Sequence, residues 1–225
     1  MRQAFVDRAD AAAVLAQRLL GLKLEPPLVI FALPRGGVPI GAAVARALHA
    51  PLDLVLVRKI GAPWQPELAL AAVAEGEPPE IVVDEEVRRY AGVDDAWIAR
   101  EAQRHLEEIG RRRRVYLRGR APAEVEGRTA IVVDDGIATG TTMRAALKAL
   151  RRRRPAHLVL AVPVAPRDTL AAMRAEVDRI VCLATPEPFH AVGAHYREFH
   201  QVDDDEVIAA LDGANPPPAG ARPGQ

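Results

Sequence analysis

Continuous apolar runs of strand length alternate along this chain with helical patterns, and that alternation constrains the fold more than any other feature. The runs cover residues 27–34, 52–60, 128–135, 157–165 and 178–185. Their apolar residues are consecutive, which is typical of strands that are buried on both faces. The segments between them, at 38–50, 140–154 and 165–177, space apolar residues at helical intervals. The alternation predicts an α/β fold with a parallel sheet flanked by helices on both faces.

Other segments have less specific patterns. Residues 7–20 predict an N-terminal helix, and 94–118 predict a long, charged helix with an apolar stripe. The stretch 68–76 predicts a third strand, although its alanine content also permits a helix. Residues 80–87 predict a short strand or the start of a helix. The segment GAPWQPE (61–67) contains two prolines and predicts a loop.

Charge and cysteine content exclude several classes of function. The 30 basic and 30 acidic residues balance, so no overall field draws the chain to nucleic acid or to an anionic membrane. One cysteine, Cys182, cannot build a disulfide framework and fits a reducing compartment. The first ten residues lack the apolar core of a secretory signal, and no apolar run approaches the roughly 20 residues of a membrane helix. We therefore expect a cytoplasmic protein without a membrane partner.

The stretch AIVVDDGIATGTT (130–142) combines an apolar strand, two adjacent acids and a loop of Gly and Thr before a helix. Ligands of open parallel sheets bind at the carboxyl ends of the strands. A helix N-terminus with nearby hydroxyls suits a phosphate, and glycines such as Gly136 let the backbone approach it. Adjacent carboxylates accept hydrogen bonds from a pair of vicinal hydroxyls. A phosphate and a diol held together describe a ribose 5-phosphate.

Other interpretations of the same residues differ in how well they fit. The tripeptide GK[ST] of a Walker loop and the pattern G-x-G-x-x-G of dinucleotide-binding proteins are both missing. A metal site or the acidic pocket of a phospho-receiver domain would need the two acids but not the Gly/Thr loop. A strand followed by an ordinary capped helix also stays open.

Residues 130–142 resemble the thirteen-residue ribose-phosphate signature of the type I phosphoribosyltransferases, in length, order and strand-loop-helix context. The resemblance implies that Asp134 and Asp135 hold the 2- and 3-hydroxyls of phosphoribosyl pyrophosphate (PRPP). It also implies that the loop binds the 5-phosphate. The loop residues are Ala138, Thr139, Gly140, Thr141 and Thr142.

A second anion-binding loop is expected, because PRPP also carries a pyrophosphate. Arg35, Gly36 and Gly37 follow the first core strand and open a helix, and they resemble the pyrophosphate loop of the family. Arg58 and Lys59 leave the next apolar run together and resemble the basic residues of the family's mobile loop. Lys59 is the stronger candidate, since only three of the 30 basic residues are Lys. Asp134, Asp135 and Lys59 are therefore the candidate catalytic residues.

The order of these motifs resembles a bacterial branch of the family without an assigned acceptor, over nearly all of residues 1–211. It implies one phosphoribosyltransferase domain over 1–211, with a helical insertion at about 84–120 and a small acceptor-binding hood at about 185–211. Residues 212–225 are rich in Pro and Gly and predict a disordered tail.

The resemblance implies an enzyme that transfers the ribose 5-phosphate group of PRPP to a nitrogen acceptor, typically a nucleobase, and releases pyrophosphate. Mg²⁺ is the implied cofactor, held mainly by PRPP oxygens and water rather than by protein ligands. We expect a homodimer. The alternatives are a non-catalytic regulator that binds PRPP or a nucleotide on the same fold, and a phosphohydrolase or accessory domain acting on ribose phosphates.

The predicted hood contains Phe189, Tyr196 and Phe199, which could form a stacking platform for the acceptor or simply pack as a small subdomain, with the N-terminal segment as a possible part of it. Hypoxanthine-guanine enzymes carry Asp at the position of Ala138, so the sequence argues against their acceptors. The run DDDE (203–206) has the spacing of a helix capping box.

Two further patterns invite binding hypotheses. His190, His195 and His200 are spaced by five, which scatters them around a helix and argues against a metal site. The arginines at 111–114, with Arg118 and Arg120, form a basic patch. Nucleic-acid binding is the weaker interpretation, because Tyr116 is the only aromatic residue that lies among these arginines. The alternative is that the segment forms a dimer contact.

Overall fold

The computed structural model describes residues 4–215, and this part of the chain contains eight strands and seven α-helices. The strands are β1 (Leu28–Ala32), β2 (Leu52–Leu54), β3 (Val57–Ala62), β4 (Gln65–Ala74), β5 (Glu80–Val83), β6 (Thr129–Val133), β7 (His157–Val164) and β8 (Arg179–Ala184). The helices are α1 (Arg8–Leu20), α2 (Gly37–Leu48), α3 (Glu85–Ala91), α4 (Asp95–Leu117), α5 (Thr141–Arg152), α6 (Arg167–Met173) and α7 (Asp204–Ala214).

A five-stranded parallel sheet forms the centre of the molecule, in the order β2-β1-β6-β7-β8. Ile30 and Ile131 point to one face, where α1, α2 and α7 cover them, while Phe31 and Val132 point to the other, against α5 and α6. Both faces are thus buried, which is why the strands read as continuous apolar runs. The predicted α/β fold with a helix-flanked parallel sheet is confirmed.

The prediction for residues 52–74 was wrong in its topology. The apolar run 52–60 splits into β2, in the core sheet, and β3, which belongs to a separate antiparallel sheet in the order β3-β4-β5. Only Pro63 and Trp64 connect β3 to β4. A connection that short joins antiparallel neighbours, because parallel strands need a crossover of a dozen or more residues.

The helices α3 and α4 follow the second sheet and lie within the range 84–120. Helix α4 packs against β3, β4 and α7, so it joins the antiparallel sheet to the C-terminal helix. Three of the four arginines at 111–114 are paired with carboxylates: Arg111 and Arg112 bond Glu108, and Arg113 bonds Glu75. These ion pairs argue against a basic patch that is free to bind nucleic acid.

Helix α7 begins with the predicted capping box, in which Asp203 and Glu206 each bond the other's backbone N–H. It continues to Ala214, past the predicted start of the tail at 212. The side chain of Asn215 then bonds both backbone polar groups of Leu52, at 2.9 and 2.8 Å. These bonds anchor the helix end to the edge strand of the core sheet. The rest of the predicted tail, 216–225, lies outside the described residues.

Candidate active site

The carboxyl ends of β1 and β6 lie side by side. Ala32 pairs with Val133 at the last position of both strands, and the N–H of Leu33 donates to the carbonyl of Val133 at 3.1 Å. The loop that precedes α2 and the loop that precedes α5 therefore start from adjacent points on the sheet edge. The fold brings the two predicted anion-binding loops together.

Gly36 and Gly37 are in van der Waals contact with the acidic pair. A Cβ on Gly36 would lie 2.0 Å from Oδ2 of Asp135, and one on Gly37 would lie 2.9 Å from the Cα of Asp134. Gly36 has ordinary helical dihedrals, with φ −59° and ψ −34°. It is the close approach of the two loops, and not an unusual backbone conformation, that requires the glycine.

Helices α2 and α5 begin without side-chain caps. Their N-cap residues, Gly36 and Gly140, provide no cap hydrogen bond, and neither helix has an acid in its first turn. Helices α1, α3, α4 and α7 are all capped by aspartates, namely Asp7, Asp84, Asp94 and Asp203. The positive ends of both helix dipoles therefore point to the loops beside the acidic pair, which is an electrostatic environment that anions prefer, and the first turn of α5 adds N–H donors without a side-chain cap. At the start of α2 the N–H groups of Gly37 and Val38 instead donate to the carbonyls of Leu33 and Arg35, both at 3.1 Å.

The loop before α5 is exposed where a phosphate would approach it. Ala138 and Thr139 are exposed, and Thr141 and Thr142 are half-buried. A hydrogen bond from α6 holds the loop in place, since the hydroxyl of Thr169 donates to the carbonyl of Ala138 at 2.8 Å. Gly140 has a φ of +83°, a conformation that glycine adopts readily and other residues rarely do.

The two acids differ in their surroundings. Asp134 is partly buried as a residue, and its Oδ1 accepts from the N–H of Asp135 at 2.8 Å. Burial, followed by the neighbouring Asp135 carboxylate, raises the pKa of Asp134 well above its ordinary value. Burial also raises the pKa of Asp135, against the lowering effect of Arg8. The pair therefore holds protons more tightly than free carboxylates do.

Arg8 is a site residue that the sequence reasoning missed. It is the first residue of α1 and is 7% exposed. Its Nε and Nη2 contact Oδ2 of Asp135 at 2.9 and 2.8 Å, and its Nη1 donates to the carbonyl of His200 at 2.7 Å. Its guanidinium also stacks over the ring of Phe199, 3.9 Å from the centroid.

The predicted aromatic hood residues are not one platform. Tyr196 is buried, and its hydroxyl donates to the backbone carbonyl of Asp135 at 2.6 Å. Phe199 is covered on one face by Arg8, and Phe189 packs against His195 with ring centroids 4.8 Å apart. Of the two roles that the sequence left open for Tyr196, the structure thus supports packing behind the acidic pair and not a stacking surface.

The hood includes the N-terminal segment, as the sequence suggested. Phe5 forms a parallel bridge with Tyr196, and its carbonyl accepts from the N–H of Arg197 at 3.0 Å. On the other side, Val192 approaches Gly136 so closely that a Cβ there would lie 2.6 Å from Cγ1 of the valine. The hood is thus packed directly on the loop that carries the acids.

The basic residues occupy different positions. Lys59 lies within β3, opposite Ala72, and not at a strand end; its exposed ammonium is close enough to lower the pKa of Asp134. Arg58 lies 3.9 Å from Oε1 of Glu108 on α4, so it joins the helical insertion. Arg35 lies 3.5 Å from Oδ1 of Asp204, in a half-exposed pair. Of the two neighbours on β3, Lys59 is the one whose charge acts on the acidic pair.

A cavity of about 300 Å³ opens between the loops and the hood. Its walls include Arg8, Arg35, Gly36, Asp135, Phe199 and His200. A larger cavity, of about 600 Å³, lies between β2 and the end of α5. Two of its three arginines are paired with carboxylates, Arg113 with Glu75 and Arg152 with Glu80, each at 2.8 Å. The smaller cavity lies next to the acidic pair and the loop that precedes α2, and it is the candidate acceptor pocket.

Within residues 4–215, no group of three or more His, Cys, Asp and Glu side chains has the geometry of a metal site. His195 is buried, and burial lowers its pKa, whereas His200 is exposed and lies 2.9 Å from Glu206. In the same part of the chain no helix is long and apolar enough to cross a membrane.

A helix-flanked parallel sheet that places two uncapped helices and an acidic pair at adjacent strand ends defines a type I phosphoribosyltransferase fold. The family model described as "Phosphoribosyl transferase domain" matches residues 6–197, and the chain belongs to that family.

Relatives support this assignment. The chain is 46% identical over 211 residues to "Putative phosphoribosyl transferase Rv0571c" of Mycobacterium tuberculosis, and the match covers 94% of this chain and 47% of the relative. This chain thus spans about half the length of the curated relatives that it matches. The crystal structure of TT1426 from Thermus thermophilus is 44% identical, covers 94% of this chain and 98% of its own, and superposes with a TM-score of 0.77. A hypothetical protein from Neisseria gonorrhoeae, solved with bound ppGpp, shares the fold at 16% identity, 96% and 99% coverage and a TM-score of 0.52.

Proposed function

We propose that this chain transfers the ribose 5-phosphate group of PRPP to a nitrogen acceptor, such as a nucleobase, and releases pyrophosphate. One observation carries the proposal. The two helices that begin at the adjacent ends of β1 and β6 lack caps, and the acidic pair lies between them. Two anion sites on either side of a diol-binding pair match the two phosphate groups and the ribose of PRPP.

In this arrangement the 5-phosphate lies at the N-terminus of α5, within reach of the hydroxyls of Thr139, Thr141 and Thr142. The ribose hydroxyls donate to the carboxylates of Asp134 and Asp135. The pyrophosphate lies at the N-terminus of α2, where Arg35 and Lys59 supply positive charge. The contact of Gly36 and Gly37 with the acids keeps the two anion sites close enough for one ligand.

In the reaction, the bond between the anomeric carbon and the pyrophosphate oxygen breaks, and its electron pair leaves with the pyrophosphate. The acceptor nitrogen supplies the electron pair of the new bond on the opposite face. Positive charge develops on the ribose, beside the acids, and negative charge develops on the leaving group, beside Lys59 and the α2 N-terminus. Protein groups that are already in place beside the developing charges on the ribose and the pyrophosphate lower the activation barrier, because they need no reorganisation during the reaction.

The donor set suits Mg²⁺ held by the substrate. Asp134 and Asp135 supply carboxylate oxygens beside the phosphate loops, and Mg²⁺ prefers such oxygens together with phosphate and water. When bound, the ion would neutralise charge on the pyrophosphate. The protein residues would still orient the ribose and bind the two phosphate groups.

Calorimetry with PRPP and Mg²⁺, followed by a pyrophosphate-release assay over a panel of nitrogen bases, tests the proposal. We expect saturable PRPP binding that the double variant Asp134→Asn/Asp135→Asn loses and the control Asp205→Asn, an exposed acid on α7, retains. Unaltered binding by the double variant would overturn the donor assignment. Binding without turnover of any base would favour the non-catalytic regulator.

A further inference from the structure

The ion pair between Arg8 and Asp135 is a buried contact between residues 127 positions apart. It joins the first residue of α1 to the acid that the proposed function assigns to the ribose. Both contacts from Arg8 reach Oδ2 of Asp135, at 2.9 and 2.8 Å, so the guanidinium fixes the orientation of the carboxylate and leaves Oδ1 without a contact from Arg8.

Arg8 stands where an arginine is electrostatically unfavourable. It is at the N-terminus of α1, where the helix dipole disfavours a cation, and its guanidinium is almost completely removed from water. A buried ion pair often adds little net stability over an apolar pair of the same size. The position and burial of Arg8 are therefore explained better by what it does to Asp135 than by a contribution to folding.

The other contacts of Arg8 connect the acid to the hood. Its Nη1 donates to the carbonyl of His200 at 2.7 Å, and Phe199 packs on its planar face at 3.9 Å. One guanidinium thus contacts the ribose-binding loop and the 199–200 segment of the hood. A displacement of Arg8 would release the Asp135 carboxylate and one wall of the 300 Å³ cavity together.

We propose that Arg8 is a positioning residue for PRPP binding, acting through Asp135 by holding its carboxylate oriented with Oδ1 available to a ribose hydroxyl. The inference rests on the proposed function. Arg8 itself does not need to touch PRPP. Its effect on the affinity for PRPP must therefore vanish when Asp135 can no longer accept as a carboxylate.

A double-mutant cycle on the dissociation constant of PRPP, measured by calorimetry with Mg²⁺, tests this dependence. We expect Arg8→Gln to weaken PRPP binding about tenfold, which is within the range of couplings between charged groups in contact. In an Asp135→Asn background the same change should alter affinity less than about threefold. The control Arg18→Gln, an exposed arginine of the same helix, should bind PRPP as the wild type does.

Arg8→Lys keeps the charge without the planar fork, so it should recover part of the lost affinity, and it serves as the second variant if Arg8→Gln does not fold. A merely structural role predicts equal losses in both backgrounds, and that result, or normal binding by Arg8→Gln, would overturn this inference alone. If the wild-type chain binds no PRPP, the proposed function fails and this inference fails with it.

Discussion

A Cβ atom built on Gly36 would lie 2.0 Å from Oδ2 of Asp135, a distance too short for any side chain at position 36. Asp135 cannot easily retreat, because Arg8 holds the same oxygen at 2.8 Å and Tyr196 holds its carbonyl. The pyrophosphate-type loop and the acidic pair are therefore interlocked, and a single methyl group on one displaces the other.

Gly36→Ala should consequently damage both stability and ligand binding. We expect a loss of about 1–3 kcal/mol in the free energy of unfolding, the usual result of overpacking, together with weaker PRPP binding. Urea denaturation and calorimetry would measure the two effects. Gly213→Ala is the matched control, because nothing lies within 4 Å of its Cβ position and alanine favours the interior of α7 by about 0.5–1 kcal/mol. Equal stabilities of the two variants would contradict the interlocking.

Asp134→Asn should stabilise the protein at neutral pH while it weakens PRPP binding. Burial and the adjacent Asp135 raise the folded-state pKa of Asp134, and Arg8 and Lys59 only partly oppose them. Ionising this carboxyl at neutral pH therefore opposes folding. An isosteric amide removes that opposition, and a gain of about 0.5–2 kcal/mol is typical when such a functional strain is relieved. Chemical denaturation at pH 7 measures the gain.

The pH dependence of that gain has a definite sign. The unfolded chain loses the Asp134 proton near its ordinary pKa of 3.8, whereas the folded chain keeps it to a higher pH. Between the two values the folded state binds more protons, so the free energy of unfolding of the wild type falls as pH rises. The advantage of Asp134→Asn should thus be absent below pH 3.8, grow above it and level off. An advantage that shrinks with rising pH would contradict the raised pKa.

Gly140→Ala should weaken the phosphate loop for two separable reasons. A residue with a side chain at a φ of +83° costs about 1–2 kcal/mol, and the added Cβ would lie 2.2 Å from Cε of Met173. Gly127→Ala is the control for the first reason alone, since its φ is +70° and nothing lies within 4 Å. We expect Gly140→Ala to be the more destabilised and to lose affinity for ribose 5-phosphate, measured by thermal unfolding and calorimetry. Gly127→Ala should keep that affinity.

The core sheet and the position of the two glycine-containing loops at its edge could be predicted from the sequence because each depends on local chemistry. A buried strand is recognisable as an apolar run, and here each of the two runs is followed by a glycine-containing segment that begins a helix. The switch between sheets could not, since the apolar run 52–60 continues through it without a break. The predicted loop at 61–67 is itself too short for a parallel crossover, and its length was the available signal for an antiparallel pair.

Arg8 was missed for a different reason, since it acts over 127 positions and belongs to no local motif. A cation as the first residue of a helix is the one signal that could have drawn attention to it. Tyr196 was recognised as a residue of the hood, but stacking and packing both stayed open for it, because burial cannot be read from an aromatic in a loop. The Mg²⁺ requirement, the homodimer, the domain limits and the cytoplasmic location stay predictions.

Tyr196→Phe should show how far the hood controls the acidic pair. It deletes the 2.6 Å hydrogen bond to the carbonyl of Asp135 and leaves that buried acceptor unpaired, at a cost of about 1–3 kcal/mol in unfolding free energy. Because the lost bond positions the backbone of Asp135, the acid that we propose binds the ribose, PRPP affinity should fall as well. Tyr90→Phe is the matched control, since Tyr90 is 76% exposed and its hydroxyl is not buried. Denaturation and PRPP calorimetry on both variants separate the outcomes. A loss of stability without a change in affinity would show that the hood only packs against the site and does not position it.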